Sequence, residues 1–244
     1  MLHYGLIGKS LKHSFSKDYF TGKFEKGHIN ADYSLCELAD IEEIKEVFSK
    51  QWQGLNVTIP YKAQIIPFLN EIDNLAAKIG AVNTIQFSKK EGQTWLKGFN
   101  TDVIGFETTL KPLLQTHHTH ALVLGTGGAS KAVTYVLNKL NIPYTYVSRE
   151  AGLNKLGYEE LTSDIISTHT LIINTTPLGM FPDLESYPDI PYEAIGEKHL
   201  LYDLVYNPVK TQFLLQGETH GATIKNGLEM LINQAEAAYE IWNQ

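Results

Sequence analysis

The sequence of 244 residues contains a single cysteine, Cys36, and therefore offers no internal disulfide bond. It has no apolar run near the roughly 18 residues that a membrane-spanning helix needs, and residues 1–10 lack the pattern of a secretory signal peptide. Its formal net charge of −7 argues against a general surface for nucleic acid or anionic membrane. These absences predict a cytoplasmic protein that binds small molecules, with no nucleic-acid or membrane partner.

A metal site is not predicted either. His117, His118 and His120 lie close together, but the stretch around them is polar and contains no cysteine or carboxylate cluster that would complete a ligand set.

The pattern that is present is that of an α/β protein. Hydrophobic residues make up 43% of the chain and charged residues 19%, as in ordinary globular proteins, and the length allows one large domain or two small ones. Strands are predicted at 2–7, 32–38, 54–59, 144–148, 171–174 and 200–204, with a hairpin formed by 81–88 and 94–99. Helices are predicted at 16–26, 41–50, 63–69, 73–79, 101–114, 131–140 and 227–242.

A glycine loop in the middle of the chain is the clearest candidate for a binding site. Gly125, Thr126, Gly127, Gly128 and Ala129 follow an apolar strand and precede a helix. Backbone N–H groups and the helix dipole in such a turn favour the pyrophosphate of a dinucleotide. An ordinary strand-to-helix turn is the alternative interpretation.

The end of the next strand bears on which dinucleotide would bind. An NAD site favours an acidic side chain there, whereas this chain has Ser148 and Arg149. A guanidinium suits a 2′-phosphate, which favours NADP. Glu150 follows directly and would accept a ribose hydroxyl, so NAD remains the less favoured alternative.

Three polar segments in the first half are candidates for substrate contacts. Ser14 and Ser16 are spaced to hold one carboxylate, and capping of the following helix is the alternative. Thr58 lies on the same side of a predicted strand as Asn56, and Lys62 follows in the turn, where an exposed lysine is the alternative. Asp102 follows the strand that ends near Phe99 and would otherwise serve as a helix cap.

Two polar segments in the second half follow apolar strands. The first, residues 174–180, contains Thr176, and the second, residues 203–208, contains Tyr206. Ligands of open α/β sheets bind outside the carboxyl ends of the strands, so both segments are expected beside the nicotinamide end of a cofactor. Plain turn chemistry is the alternative, because Thr-Pro and Asn-Pro favour turns.

Taken in order, eight short motifs along nearly the whole chain resemble the shikimate dehydrogenase family. Each alone is a weak signal, whereas all eight in the right order are specific. They are His13-Ser14-x-Ser16, Asn56-Val57-Thr58-x-Pro60-x-Lys62, Gly80-Ala81-Val82-Asn83-Thr84, Gly98-x-Asn100-Thr101-Asp102, Gly125-x-Gly127-Gly128-Ala129, Asn174-x-Thr176-x-x-Gly179-Met180, Asp203-x-x-Tyr206-x-Pro208 and Gly227-x-x-Met230-Leu231-x-x-Gln234.

The resemblance implies a fold with two domains and a cleft between them. An N-terminal three-layer α/β substrate domain would comprise residues 1–100, completed by a C-terminal helix at 225–244. A Rossmann-like parallel-sheet NADP domain would comprise residues 101–224. The implied reaction is the reversible, NADPH-dependent reduction of 3-dehydroshikimate to shikimate in chorismate and aromatic amino-acid biosynthesis, by a monomer or a homodimer.

The resemblance also implies roles for individual residues. Lys62 and Asp102 would be the catalytic pair. The substrate would be bound by Ser14, Ser16, Thr58, Asn83, Tyr206 and Gln234, with Asp102 also on its ring hydroxyls. The cofactor would be bound by Gly125, Thr126, Gly127, Gly128, Ala129, Ser148, Arg149, Thr176 and Gly227.

The chain departs from the family pattern at a few positions. Ser10 and Lys17 stand where the family usually has proline, and Ser148-Arg149-Glu150 replaces Asn-Arg-Thr. The second basic residue that often follows is also missing, since Leu153 and Asn154 occupy those places.

Three alternatives remain open at this point. The nearest is a quinate/shikimate dehydrogenase with NAD, which an acidic residue at 148 or 149 would have favoured. A methylene-tetrahydrofolate dehydrogenase-like protein is more distant, and the Ser14 and Ser16 pair argues against it. A catalytically inactive binding module on the same fold would be expected to lack Lys62 or Asp102, and both are present.

Overall fold

The computed structural model describes residues 1–12 and 14–244, and its chain divides into two compact units. Unit 1 consists of residues 1–101 and 234–244, and unit 2 of residues 102–233. His13, the first residue of the first motif, lies outside the described residues. Within the described chain, no helix combines the length and apolar character needed to cross a membrane.

Unit 1 is built on a mixed six-stranded sheet with strand order β2-β1-β3-β5-β6-β4. Its strands are β1 (Leu2–Gly8), β2 (Ala31–Glu37), β3 (Gly54–Val57), β4 (Glu71–Ile72), β5 (Thr84–Lys90) and β6 (Gln93–Phe99). Its helices are α1 (Phe15–Lys26), α2 (Ile44–Phe48) and α3 (Asn74–Ile79). β1 pairs in parallel with β2 and β3, while β5 is antiparallel to both β3 and β6.

Local sequence explains several of these elements. Glu91 and Gly92 both have positive φ, 52° and 80°, which allows the tight turn of the predicted hairpin between β5 and β6. α3 begins after Asp73, whose side chain accepts from the Leu75 N–H, and ends at Gly80 in the left-handed conformation.

The predicted helix at 63–69 is wrong. The structure has turns there and one 3-10 turn at Ile66–Phe68. Pro67 lies inside this segment and cannot donate a backbone hydrogen bond, which disfavours a continuous helix. The predicted helix at 41–50 begins as a 3-10 turn at Ile41–Glu43 before α2.

Unit 2 is built on a fully parallel six-stranded sheet with strand order β12-β11-β10-β7-β8-β9. Its strands are β7 (Ala121–Leu124), β8 (Tyr144–Ser148), β9 (Lys155–Gly157), β10 (Leu171–Asn174), β11 (Leu200–Asp203) and β12 (Thr223–Lys225). Its helices are α4 (Asp102–Leu110), α5 (Gly128–Lys139), α6 (Ser163–Thr168) and α7 (Gln212–Thr219). Every residue of β7, β10 and β11 is buried, as expected for parallel strands covered on both faces.

The connection between β8 and β9 is short for a parallel pair of strands. Only residues 149–154 connect this parallel pair, and they contain no helix. Parallel neighbours usually need a crossover of about a dozen residues or more. A shorter connection suffices here because Lys155, the first residue of β9, pairs with Tyr146, so the chain returns past only the last residues of β8.

The last helix, α8 (Leu228–Trp242), begins in unit 2, and its residues from Gln234 onward belong to unit 1. Its apolar stripe joins a buried aromatic cluster on one face of the unit 1 sheet. Members of this cluster include Tyr4, Phe20, Phe24, Tyr33, Ala235, Ala238 and Trp242. Trp242 donates from Nε1 to the Ile85 carbonyl at 3.0 Å, and its ring lies so close to Gly54 that a Cβ there would overlap with it.

Candidate functional site

Most of the predicted substrate residues lie at one end of the strands in the unit 1 sheet. β1, β3 and β6 end on this side, and β5, which runs the opposite way, begins there. Thr58, which follows β3, and Asn83, which precedes β5, are therefore at the same end of the sheet. The Thr58 N–H donates to the Ile7 carbonyl at 2.8 Å, and the Asn83 N–H donates to the Phe99 carbonyl at 3.0 Å.

Ser14 and Ser16 lie at the start of α1, which follows β1. Ser14 is the N-cap, and its Oγ accepts from the Lys17 N–H at 3.4 Å. Ser16 is buried, at 9% exposure. The capping role of Ser14 is therefore present in the structure, and the Oγ retains its proton for another acceptor.

Asn83 is the centre of a buried polar cluster within unit 1. Its Oδ1 accepts from the Thr101 N–H at 2.7 Å, and its Nδ2 donates to Gln234 Oε1 at 3.3 Å. Asn83 and Gln234 are 2% and 7% exposed, although 151 residues separate them in the sequence. The fold thus brings two of the predicted substrate residues into contact.

Lys62 and Asp102 follow β3 and β6, respectively. Lys62 is half-buried in the turns after Pro60, and its carbonyl accepts from the Val82 N–H at 2.7 Å. Asp102 is 7% exposed and is the first residue of α4, in unit 2.

The glycine loop of unit 2 lies between β7 and α5. Gly125 has a φ of +100°, and a Cβ there would lie 2.9 Å from Thr175 Oγ1, so no other residue suits this position. Its N–H donates to the Val147 carbonyl of β8 at 2.8 Å. The loop is therefore held between its two neighbouring strands.

The start of α5 is open toward an incoming group. Gly127 is the N-cap and makes no side-chain capping bond, and a Cβ on Gly127 or Gly128 would meet nothing within 4 Å. Thr126, Gly127 and Gly128 are exposed, and Ala129 is half-buried. The first N–H groups of this 12-residue helix thus lie beside free space, an arrangement that fits a dinucleotide pyrophosphate.

Ser148 and Arg149 lie beside this loop at the carboxyl end of β8. Ser148 Oγ donates to the Glu150 carbonyl at 2.5 Å and fixes the turn, while the side chains of Arg149 and Glu150 are exposed. The exposed Arg149 guanidinium is therefore accessible to an anionic group.

A second buried polar cluster joins the ends of β10 and β11. Asp203 accepts from Asn174 Nδ2 and the Val205 N–H, both at 3.0 Å, and from Thr211 Oγ1 at 2.5 Å. Asn174 Oδ1 in turn accepts from Thr176 Oγ1 at 2.6 Å. Burial raises the pKa of Asp203 to about 6, against the lowering effect of its hydrogen bonds.

Two further predicted residues lie in or against the segment that follows β11. Tyr206 is half-buried and follows β11. Gly227 donates from its N–H to the Val205 carbonyl at 3.1 Å, and a Cβ there would overlap with the Leu204 carbonyl oxygen. Close backbone packing by itself therefore requires glycine at position 227.

The histidines near residue 118 make protein contacts. His118 Nδ1 accepts from the Gln115 N–H at 2.9 Å, and the rings of His117 and His118 lie 4.4 Å apart. Among residues 1–12 and 14–244, no group of three or more His, Cys, Asp or Glu side chains is placed to hold a metal ion.

Comparison with known proteins agrees with the motif order. Residues 6–85 match the model of the shikimate dehydrogenase substrate binding domain. A relative from Methanosphaera stadtmanae, named shikimate dehydrogenase (NADP(+)), is 38% identical, and the match covers 98% of this chain and 90% of that protein. The chain belongs to the shikimate dehydrogenase family.

Solved structures of this family share the fold. The crystal structure of shikimate dehydrogenase from Aquifex aeolicus matches with a TM-score of 0.87 at 33% identity, covering 100% of this chain and 92% of that one. The enzyme from Thermus thermophilus, in complex with NADP(H) and shikimate, matches with a TM-score of 0.84 at 29% identity, covering 99% and 93%. The expected α/β fold with two domains is therefore confirmed.

Several residues that hold these clusters together were not given a role by the sequence analysis. Tyr33, Thr84 and Thr101 join the unit 1 cluster, and Thr211 joins the unit 2 cluster. Thr84, Thr101 and Asp203 are part of the quoted motifs, so the motifs contain a signal for them. Tyr33 is outside every motif, and only the paired strands reveal its position.

Proposed function

We propose that this chain catalyses the NADP-dependent, reversible reduction of 3-dehydroshikimate to shikimate. The observation that carries the proposal is the family membership over nearly the full chain, among relatives named shikimate dehydrogenase (NADP(+)). The Thermus thermophilus relative binds NADP(H) and shikimate, the two ligands that this reaction requires.

The proposal assigns substrate binding and cofactor binding to different parts of the chain. Residues 1–100, with the C-terminal helix at 225–244, would bind the substrate, and residues 101–224 would bind NADP. The buried side-chain cluster of Asn83 and Gln234 supports the first assignment, because amides and hydroxyls suit a small ring with several hydroxyl groups. The open N-terminus of α5 supports the second.

Individual substrate residues take the following proposed roles. Ser14 and Ser16 donate hydrogen bonds to the substrate carboxylate. Thr58, Asn83, Asp102 and Gln234 bind the ring hydroxyls, and Tyr206 completes the substrate set.

The cofactor would be held mainly by backbone groups. The proposed set is Gly125, Thr126, Gly127, Gly128, Ala129, Ser148, Arg149, Thr176 and Gly227. Arg149 would bind the 2′-phosphate with its planar donor fork, which is the basis for preferring NADP over NAD.

The proposed chemistry centres on Lys62. When bound, NADPH supplies the hydride that the ketone carbon accepts. The oxygen gains negative charge at that step, and the Lys62 ammonium stabilises this charge and donates the proton. Asp102 is proposed as the second member of the catalytic pair, holding the substrate hydroxyl through its carboxylate.

A spectrophotometric assay tests the proposal. NADPH formation is followed by its absorbance with shikimate, with quinate in a parallel series, and kcat/KM is measured for NADP and NAD. We expect turnover of shikimate with a clear preference for NADP. A preference for NAD would contradict the role of Arg149, and no turnover of either substrate would favour the inactive binding module.

A further inference from the structure

The side-chain amide of Asn174, at the carboxyl end of β10, is held in one orientation. Its Nδ2 donates to Asp203 Oδ1 at 3.0 Å, and the same oxygen accepts from the Val205 N–H at 3.0 Å. Its Oδ1 accepts from the Thr176 N–H at 3.0 Å. Because a backbone N–H only donates, the amide oxygen must face Thr176 and the amide nitrogen must face Asp203.

Burial makes the reversed orientation costly. Asn174 and Asp203 are both 0% exposed, and Thr211, which donates to Asp203 Oδ2 at 2.5 Å, is 1% exposed. A reversed amide would place its nitrogen against the Thr176 N–H and its oxygen against Asp203 Oδ1. Both bonds would be lost in a region shielded from solvent, where an unmade hydrogen bond costs most.

The Thr176 hydroxyl takes its direction from this amide. Its Oγ1 lies 2.6 Å from Asn174 Oδ1, which carries no hydrogen, so the proton of this bond belongs to Thr176. The Leu178 N–H donates to Thr176 Oγ1 at 3.3 Å. Since a hydroxyl donates one hydrogen bond and accepts two, Thr176 Oγ1 has the capacity to accept one more bond while its proton stays on Asn174.

Thr176 also lies against the glycine loop. A Cβ on Gly125 would be 2.9 Å from Thr176 Cγ2, so the methyl group of Thr176 faces that glycine. Thr176 is half-buried, whereas Asn174 behind it is buried. The loop proposed to bind the pyrophosphate therefore has an oriented acceptor oxygen beside it.

We propose that Thr176 Oγ1 accepts a hydrogen bond from bound NADP, and that Asn174 is the positioning residue that holds the Thr176 proton away from the cofactor. This inference rests on the proposed function. The carboxyl end of β10 is expected beside the nicotinamide half of the cofactor, which carries two kinds of donor, the carboxamide N–H and the ribose hydroxyls. Ionised phosphate oxygens only accept, so they do not suit this oxygen.

Equilibrium binding of NADP in the absence of substrate, measured by titration calorimetry, tests the inference. Thr176→Val removes the acceptor and keeps the shape of the side chain, so the Kd for NADP should rise roughly three- to tenfold. Thr176→Ser keeps the oxygen and should change this Kd less than about twofold.

Thr170→Val is the matched control, because it makes the same substitution at the other end of β10. Thr170 is buried, and its Oγ1 donates to the His117 carbonyl at 2.8 Å. Loss of that bond should lower the melting temperature but change the Kd for NADP less than about twofold. An unchanged Kd in Thr176→Val, or an equal rise in Thr170→Val, would overturn the inference.

Asn174→Ala tests the positioning role. Without the amide oxygen the Thr176 proton is free to turn toward the cofactor, so the Kd for NADP should rise roughly three- to tenfold. In a Thr176→Val background the same change should alter Kd less than about twofold, because the group it positions is already gone. A Kd that stays constant or falls in Asn174→Ala would indicate that Thr176 donates to the cofactor and would overturn the inference. Should melting curves show that Asn174→Ala does not fold, Thr176→Val and its two controls decide.

The acetylpyridine analogue of NADP distinguishes the two kinds of donor. In this analogue a methyl group replaces the carboxamide nitrogen. If Thr176 accepts from the carboxamide, Thr176→Val should change the Kd of the analogue less than about twofold. An equal rise for NADP and the analogue would assign the bond to a ribose hydroxyl, and either result supports the acceptor role.

Failure of the inference is distinguishable from failure of the proposed function. Wild-type protein that neither binds NADP nor oxidises shikimate would overturn both. Normal wild-type kinetics with an unchanged Kd for NADP in Thr176→Val would overturn the inference alone.

Discussion

The strand ends of the two units are organised by different kinds of contact. In unit 1 they are joined by side chains far apart in sequence, such as Asn83 and Gln234, which are separated by 151 residues. In unit 2 many contacts are local or use the backbone. Thr176 bonds Asn174 two residues away, and Thr211 bonds Asp203 eight residues away.

Under the proposed function, this difference matches the two kinds of ligand assigned to the units. A small polyhydroxylated acid presents directional donors and acceptors, and fixed side chains from several elements recognise them. A pyrophosphate presents charge, and the N–H groups of one glycine loop and one helix N-terminus suffice. Substitutions at the proposed substrate residues of unit 1 are thus expected to change substrate kinetics, and those at the proposed cofactor residues of unit 2 to change cofactor kinetics.

The largest expected effect is that of Lys62→Ala in unit 1. Loss of the proton donor should lower kcat roughly 100-fold or more, with a smaller change in the shikimate KM. Steady-state kinetics measure it, and Lys78→Ala, at an exposed lysine of α3, is the control. Near-normal turnover in Lys62→Ala would refute the catalytic assignment.

Asp203→Asn in unit 2 should change the pH dependence of stability. The folded pKa of about 6 lies above the ordinary value of 3.8, so the folded state binds a proton more readily than the unfolded state between these two pH values. The Asp203 contribution to the free energy of unfolding should therefore fall by about 3 kcal/mol as the pH rises from about 4 to about 6. Urea unfolding of the wild type and the variant at several pH values gives the difference.

The Asp203 comparison is internally controlled. Burial lowers the pKa of His118 and of His169, and these histidines favour the folded state as the pH rises. Their effect is present in both proteins and cancels in the difference. Tyr202→Phe, which removes a buried hydroxyl bonded to Thr109 at 2.6 Å, should shift stability without this pH profile. A difference between wild type and Asp203→Asn that is constant with pH would contradict the prediction.

Arg149→Ala tests the proposed cofactor contact of unit 2. Loss of a charged hydrogen bond to the 2′-phosphate should raise the KM for NADP roughly tenfold to a hundredfold. The KM for NAD and that for shikimate should stay nearly constant. Glu150→Gln, which removes the neighbouring negative charge, should lower the KM for NADP. An equal loss with NAD and NADP would show that Arg149 does not select the phosphate.

Ser14→Ala has the smallest expected effect and separates the two roles of this residue. Loss of the N-cap should cost about 1 kcal/mol of stability. Loss of a carboxylate contact should also raise the shikimate KM by roughly fivefold. Lower stability with an unchanged KM would leave Ser14 as a cap alone and would weaken the contrast between the units.

Prediction from the sequence succeeded where a signal is local. The hairpin at Glu91 and Gly92, the strand at 144–148 and the buried strands of the parallel sheet all follow from turn residues and apolar runs. The short strands β4 and β9 were missed, since two or three residues show no periodicity. The helix predicted at 63–69 is absent from the structure. The prediction followed the spacing of apolar residues, although Pro67 disfavours a continuous helix.

By itself, the sequence determined the fold class, the glycine loop and the order of the polar motifs, because each depends on residues close together in the chain. The tertiary structure alone decided that Tyr33, Asn56, Asn83 and Gln234 form one buried hydrogen-bonded network. Strand pairing and the return of α8 to unit 1 create that network, and neither leaves a periodic pattern in the sequence.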